Sequence, residues 1–165
     1  MAASRSRPGH RSESPPGDPL LLEFNVRFGD PETQVLMDVI DGDFADALDA
    51  AARGQLRPDS LTTSARHALT VVLAAAGYPG SPRKGEVIEG LDEAAALDQV
   101  RIYHAGTQLD GERLLTSGGR VLAVTGLGDT LEQAQQRAYR AADMVRFPGK
   151  QLRRDIGWRA LDRDA

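Results

Sequence analysis

Glu23, Asn25 and Arg27 stand two apart in the stretch LLLEFNVRFGDPETQ, residues 20–34. Side chains two apart on a strand share one face, about 7 Å from each other. A carboxylate, a carboxamide and a guanidinium therefore form one polar row, and Leu22, Phe24, Val26 and Phe28 face a core on the other side. Carboxylate and amide oxygens are hard ligands of the kind Mg²⁺ accepts alongside water and nucleotide phosphates. A guanidinium one step further offers a planar fork for phosphate or carboxylate oxygens. The same alternation also suits the solvated face of a half-buried strand, and spacing alone does not separate the two readings.

Other positions offer weaker chemistry. Gly118 and Gly119, before Arg120, can present backbone N–H groups to a phosphate, or simply make a tight turn. Lys84, followed by Gly85, can meet an anionic substrate or stay solvated in its loop. His104 has no carboxylate or second histidine beside it and reads as structural, and Tyr78 and Tyr103 read as core or rim residues. The arginines near the C-terminus alternate with aspartates, which predicts a solvated surface rather than a nucleic-acid patch, with Trp158 anchoring the end on the core.

The elements that must hold these groups are legible in part. DGDFADALDAAARG has an N-cap in Asp43, apolar positions at Phe44, Ala47, Leu48 and Ala51, and a stop at Gly54. HALTVVLAAAGYPG reads as a buried strand closed by a turn. GEVIEG, VRIYHAG, ERLLTSG and GGRVLAVTGLG follow as further strands in an antiparallel meander. DTLEQAQQRAYRAADMVRF is the clearest helix, with an apolar stripe of Leu131, Ala134, Ala138, Ala141 or Ala142 and Val145, capped by Thr130 with Gln133 or Asp129 with Glu132. The class is α+β, a mostly antiparallel sheet with packed helices.

Composition sets outer bounds. The 165 residues are 41% hydrophobic and 27% charged, as in a globular domain with a real core. A net charge of −4 gives no general reason to expect nucleic acid or an anionic membrane as partner. No apolar run approaches the roughly 18 residues of a membrane span. The absence of cysteine excludes disulfides, thiolate metal sites and a cysteine nucleophile. Residues 1–18 are rich in Ser, Pro, Arg and Gly, with no large apolar side chain after Met1 and no secretory h-region, so they predict a disordered leader and, by default, a cytoplasmic protein.

EFNVRFGDPETQ, then GYPG and KG, HAGT, TSGGRVLAVTGLG and RRDIGWRAL, in that order, resemble the glycinamide ribonucleotide synthetase (phosphoribosylamine–glycine ligase) family of ATP-grasp enzymes, from about Gly17 to Leu161. The resemblance implies that Glu23 and Asn25 bind the Mg²⁺ or Mn²⁺ of ATP. It also implies that Arg27 is catalytic, contacting a substrate anion or the transferred phosphate. It implies the reaction too: ATP phosphorylates glycine, and the amine of phosphoribosylamine displaces the phosphate to give glycinamide ribonucleotide. Residues 19–62 would then be the end of the ATP-grasp domain and 63–165 the family's C-terminal domain. The family's N-terminal domain, adenine pocket and glycine-rich lid are not in this sequence. The resemblance therefore implies a C-terminal piece inactive alone, or a non-catalytic module that complements a separate chain and is prone to self-association through its exposed first strand.

Overall fold

The computed structural model describes residues 27–162. In chain order the elements are α1 (Glu32–Val39), β1 (Ile40–Asp41), α2 (Phe44–Ala52), β2 (Thr62–Thr63), β3 (His67–Ala74), α3 (Leu91–Ala95), β4 (Val100–His104), β5 (Thr107–Asp110), β6 (Arg113–Thr116), β7 (Arg120–Gly128), α4 (Leu131–Met144) and α5 (Trp158–Leu161).

The apolar run of β7 makes it the centre of the main sheet. It pairs antiparallel with β3 on one side and β4 on the other, giving the order β3-β7-β4. Pairing is antiparallel, as the sequence predicts, but the order is not a meander: the last strand inserts between the first two. Among the described residues only β5 and β6 form a sequential hairpin. GEVIEG makes single bridges, Val87 to Leu115 and Glu89 to Arg146, rather than a strand. Gly90, at φ +74°, turns the chain there into α3, and the Met144 carbonyl oxygen occupies the space a Cβ would need.

α4 covers one face of this sheet. Ala134, Ala138, Ala141 and Ala142 are buried, and all four small side chains let the helix approach closely. Opposite them lies Gly126 of β7, where an added Cβ would collide with the backbone of Ala134 and Ala138. Leu69, Val71, Leu73, Leu122 and Val124 complete the core between helix and sheet. Thr130 caps α4 by accepting from the Gln133 backbone N–H at 3.2 Å, and the Gln133 side chain accepts in return from the Asp129 N–H at 3.1 Å. At the other end Lys150 Nζ donates to the carbonyls of Ala142 and Val145, which satisfies acceptors that a helix end leaves open.

α1 packs against β3 and β7. The sequence reading gives no helix over 32–39, because the segment has no side-chain cap at Pro31 and buries no residue fully. α2 forms as predicted, with Asp43 accepting from the Asp46 N–H at 2.9 Å. Trp158, expected as an anchor, is 48% exposed. Leu152 and Ile156 pack on the core instead, and the Gln135 side chain holds the Ile156 carbonyl at 2.7 Å.

Candidate functional site

Glu23 and Asn25 lie outside the described residues, so Arg27 is the member of the predicted row that the structure describes. Its side chain is exposed, and Nη1 donates to the neighbouring Phe28 carbonyl at 3.2 Å. Phe28, expected on a core face, is 48% exposed and meets Phe44 edge-on at 5.4 Å. Residues 27–31 lie outside any strand. Thr33 N–H donates to the Gly29 carbonyl at 2.9 Å, and Gln34 Nε2 donates to Asp30 Oδ1 at 3.1 Å. These bonds close a compact turn that leads directly into α1.

The turn is fastened to the sheet by a residue the sequence reading did not single out. Arg120, at the start of β7, donates from Nη1 to the Asp30 carbonyl at 2.7 Å, and its Nη2 lies 3.5 Å from Asp30 Oδ2. A second fastening joins the far end of α1 to β4, where the Tyr103 hydroxyl donates to Asp38 Oδ2 at 2.9 Å. Burial raises the Asp38 carboxyl above the ordinary carboxylate value, opposed by the Tyr103 hydrogen bond and by Arg101 and Arg66. Tyr103 is pushed up to about 12, by burial first and then by its bond to Asp38. Tyr103 is thus a tether between elements rather than a plain rim residue.

The glycine motifs meet beside Arg120. Gly118 touches Gly106 backbone to backbone, and a Cβ on Gly106 would come within 2.6 Å of the Gly118 Cα. A Cβ on Gly119 would sit 2.5 Å from the Tyr78 ring. The Gly119 carbonyl accepts from the Ala75 N–H at 2.8 Å, and the Arg120 carbonyl accepts from the Gly106 N–H at 2.8 Å. GYPG, HAGT and TSGGR therefore converge on one corner of the sheet because only bare backbones fit there. Lys84 is exposed in the adjoining loop, which the Gly85 N–H ties to the Thr116 carbonyl. His104 Nδ1 lies 3.0 Å from Thr107 Oγ1, a local contact at the start of the β5–β6 hairpin.

A cleft of about 370 Å³ opens at this corner, lined by Val72, Ala74, Tyr78, Arg120, Leu152 and neighbouring residues. Its floor is apolar. Both guanidiniums at its rim are already engaged, Arg120 with Asp30 and Arg153 with Asp155. Among the described residues no three His, Asp or Glu side chains converge as a metal site, and no helix is long and apolar enough to cross a membrane.

The long-range tether at Arg120 escapes sequence reasoning because ninety residues separate it from Asp30. The one local signal is that Arg120 directly follows the glycine pair.

Residues 68–159 match the family model described as "Phosphoribosylglycinamide synthetase, C domain". The chain is 51% identical over 146 residues to the phosphoribosylamine–glycine ligase of Mesorhizobium japonicum, covering 88% of this chain and 34% of that protein. It is 50% identical over 151 residues to the chloroplastic phosphoribosylamine–glycine ligase of Arabidopsis thaliana, covering 90% of this chain and 28% of the relative. The crystal structure of phosphoribosylamine–glycine ligase from Thermotoga maritima superposes with a TM-score of 0.72 at 40% identity, over 85% of this chain and 34% of that one. The chain spans about a third of the length of the curated relatives it matches.

Proposed function

The chain belongs to the phosphoribosylglycinamide synthetase family, whose C-terminal domain it carries, and we propose that it serves as the C-terminal part of a phosphoribosylamine–glycine ligase of purine biosynthesis. The observation that carries this reading is the intact RFGDPETQ turn, Arg27–Gln34, seated by Arg120 on the corner where the family's glycine motifs meet. In this reading Glu23 and Asn25 are the protein ligands of a Mg²⁺ or Mn²⁺ that arrives with ATP. Their carboxylate and amide oxygens suit such a hard cation. The bound cation would neutralise charge on the nucleotide phosphates during transfer. Arg27, exposed and free to turn from its weak local contact, would meet the phosphate or carboxylate of a substrate.

Phosphoryl transfer of this kind depends on positioning and charge more than on covalent help. The terminal phosphoryl group of ATP passes to the glycine carboxylate, forming an acyl phosphate and ADP. The amine of phosphoribosylamine then attacks the acyl carbon and phosphate leaves. Lys84 and the Gly118–Gly119 turn stand as lesser candidates for substrate contact. The division at residues 62 and 63, and a place in the cytoplasm, belong to the same proposal.

A second reading is a non-catalytic module that acts with a separate chain carrying the rest of the family's length. Phe28, Leu36, Leu48 and Leu56 favour it, each between 37% and 54% exposed on the 27–62 portion. Apolar exposure on this scale marks a surface that meets another. It also supports self-association, which sedimentation should detect in the whole chain and find weakened in a version starting at residue 63. A monomer at high concentration would argue against it.

The two readings part in one assay. The purified 165 residues, given Mg²⁺, ATP, glycine and phosphoribosylamine, should form no glycinamide ribonucleotide, and addition of a polypeptide carrying the remaining part of a relative should restore it. Restoration that survives Glu23→Ala would favour the non-catalytic module.

A further inference from the structure

β4 pairs with β7 on one side and with no strand among the described residues on the other. The Leu127 N–H donates to the Gln99 carbonyl at 2.9 Å and the Ala105 N–H to the Val121 carbonyl at 3.0 Å. Given the register of β4 on β7, these bonds aim the backbone of Arg101 and Tyr103 at β7 and that of Val100, Ile102 and His104 away from it. Arg101 Nη1 covers the Val100 carbonyl at 3.3 Å. Among the described residues no hydrogen bond reaches the N–H or C=O of Ile102 or His104, and Ile102 is half-buried while His104 is exposed.

The same end of β4 opens into a groove of about 790 Å³ between α3 and the β5–β6 hairpin, and His104 belongs to both. Val87, Leu109 and Leu114 give the groove apolar walls, with Leu109 70% exposed. Asp92, Glu93 and Glu112 also line it, exposed and outside the ion pairs among the described residues. Arg113, which lines it too, is already engaged by Asp110 at 2.9 Å.

We propose that the β4 edge and this groove form a docking site for an extended, cationic segment of another polypeptide, which adds to the sheet antiparallel to β4. An unpaired edge is a template for a further strand. Main-chain bonds give such a strand its affinity, and pockets for alternate side chains give it specificity. Residues opposite Ile102 and His104 would exchange the main-chain bonds. Ile102 packs on the core under α4, whereas Tyr103 turns to Asp38 of α1. The residues that pair with Ile102 and His104 therefore face the groove side. There an apolar side chain meets Leu109 and Val87, and a Lys or Arg meets the three carboxylates. The alternate residues lie over Arg101 and Tyr103, where added positive charge is disfavoured. The site lies within residues 87–114 and is independent of the ligase reading.

The test uses the whole chain, labelled with ¹⁵N. The probe is a short peptide, blocked at both ends, in which threonine alternates with valine and lysine in turn. Binding should shift the amides of Ile102, His104 and Leu109 and slow exchange at Ile102 and His104 by roughly tenfold or more, with the α4 amides unmoved. Methyl groups on the valine and lysine nitrogens should abolish binding; methyl groups on the threonine nitrogens, which point away from β4, should leave it intact. Glutamate in place of lysine should weaken binding by about tenfold or more, and so should Asp92→Asn, Glu93→Gln and Glu112→Gln combined. If the combined variant shifts the α4 amides, the glutamate peptide on the parent chain carries the comparison.

No shift at Ile102 and His104, or equal binding of the two methylated peptides, overturns the proposal. Binding indifferent to the change of charge does so as well. Protection of Ile102 that grows with the concentration of the chain alone would assign the edge to a second copy and overturn the cationic partner.

Discussion

Tyr103 on β4 donates a 2.9 Å hydrogen bond to Asp38 at the end of α1, joining residues sixty-five apart in sequence. Tyr103→Phe removes the donor and leaves a half-buried carboxylate with less support, at a cost of about 1 kcal/mol for one partly exposed bond. The effect should depend on pH. Because Tyr103 is raised in the folded state from 10.0 to about 12, its contribution is fully present below pH 10 and is lost as pH rises from 10 toward 12. Asp38 is also raised, so ionising it costs stability as pH rises above its unfolded value of 3.8. Denaturant melts between about pH 8 and pH 12 should show a steeper alkaline loss in the parent than in Tyr103→Phe. Equal slopes would contradict the tether.

Patterning in the sequence revealed the parts whose signals are local. α4 announced itself through its alanine stripe and the Thr130 cap, and α2 through Asp43 and Gly54, because caps and periodicity act within a few residues. α1 stayed hidden because its stability comes from lying across β3 and β7, not from its own sequence. The strand order is hidden for a related reason. Nothing local to GGRVLAVTGLG says that it will insert between two earlier strands rather than follow the last one. At the candidate site the motifs were visible, but the Arg120 contact with Asp30 was not, since pairing across ninety residues leaves no periodic trace.

Gly126 is the point of closest approach between β7 and α4, with the Ala134 carbonyl and the Ala138 nitrogen in the space a methyl group would need. Gly126→Ala must push the helix from the sheet or bend the strand. Overpacking of this kind costs typically about 1–3 kcal/mol, and two backbone collisions place it at about 3 kcal/mol or above. Thermal unfolding followed by circular dichroism should show a fall in Tm of several degrees. Ala138→Gly in the same background should recover little, because the obstruction is backbone. A Gly126→Ala variant as stable as the parent would mean that α4 does not lie on Gly126.

Asp143 and Arg154 fasten the C-terminal segment to the end of α4 through two hydrogen bonds, at 3.0 and 2.6 Å. The Arg154 hydrogen bond is the main cause that holds the Asp143 carboxyl below its ordinary value. A depressed folded pKa contributes stability above the unfolded value of 3.8 that disappears as pH falls through the lowered value. Arg154→Gln should therefore lower stability at neutral pH by the small amount an exposed pair contributes and leave it unchanged in strong acid, which flattens the acid limb of the stability profile. An acid limb of the same slope in both proteins would show that the pair does not set it.

The central claim is that this chain supplies the metal-bearing strand and C-terminal domain of a phosphoribosylamine–glycine ligase. The most direct measurement is product formation by a chimera in which residues 19–165 replace the matching part of the Pseudomonas aeruginosa ligase, to which the chain is 49% identical over 148 residues. The chimera should make glycinamide ribonucleotide, and Glu23→Ala within it should cost more than the roughly 10- to 100-fold that loss of an outer-shell partner of a metal typically costs. A folded chimera without activity, or one whose activity is indifferent to Glu23→Ala, would contradict the account.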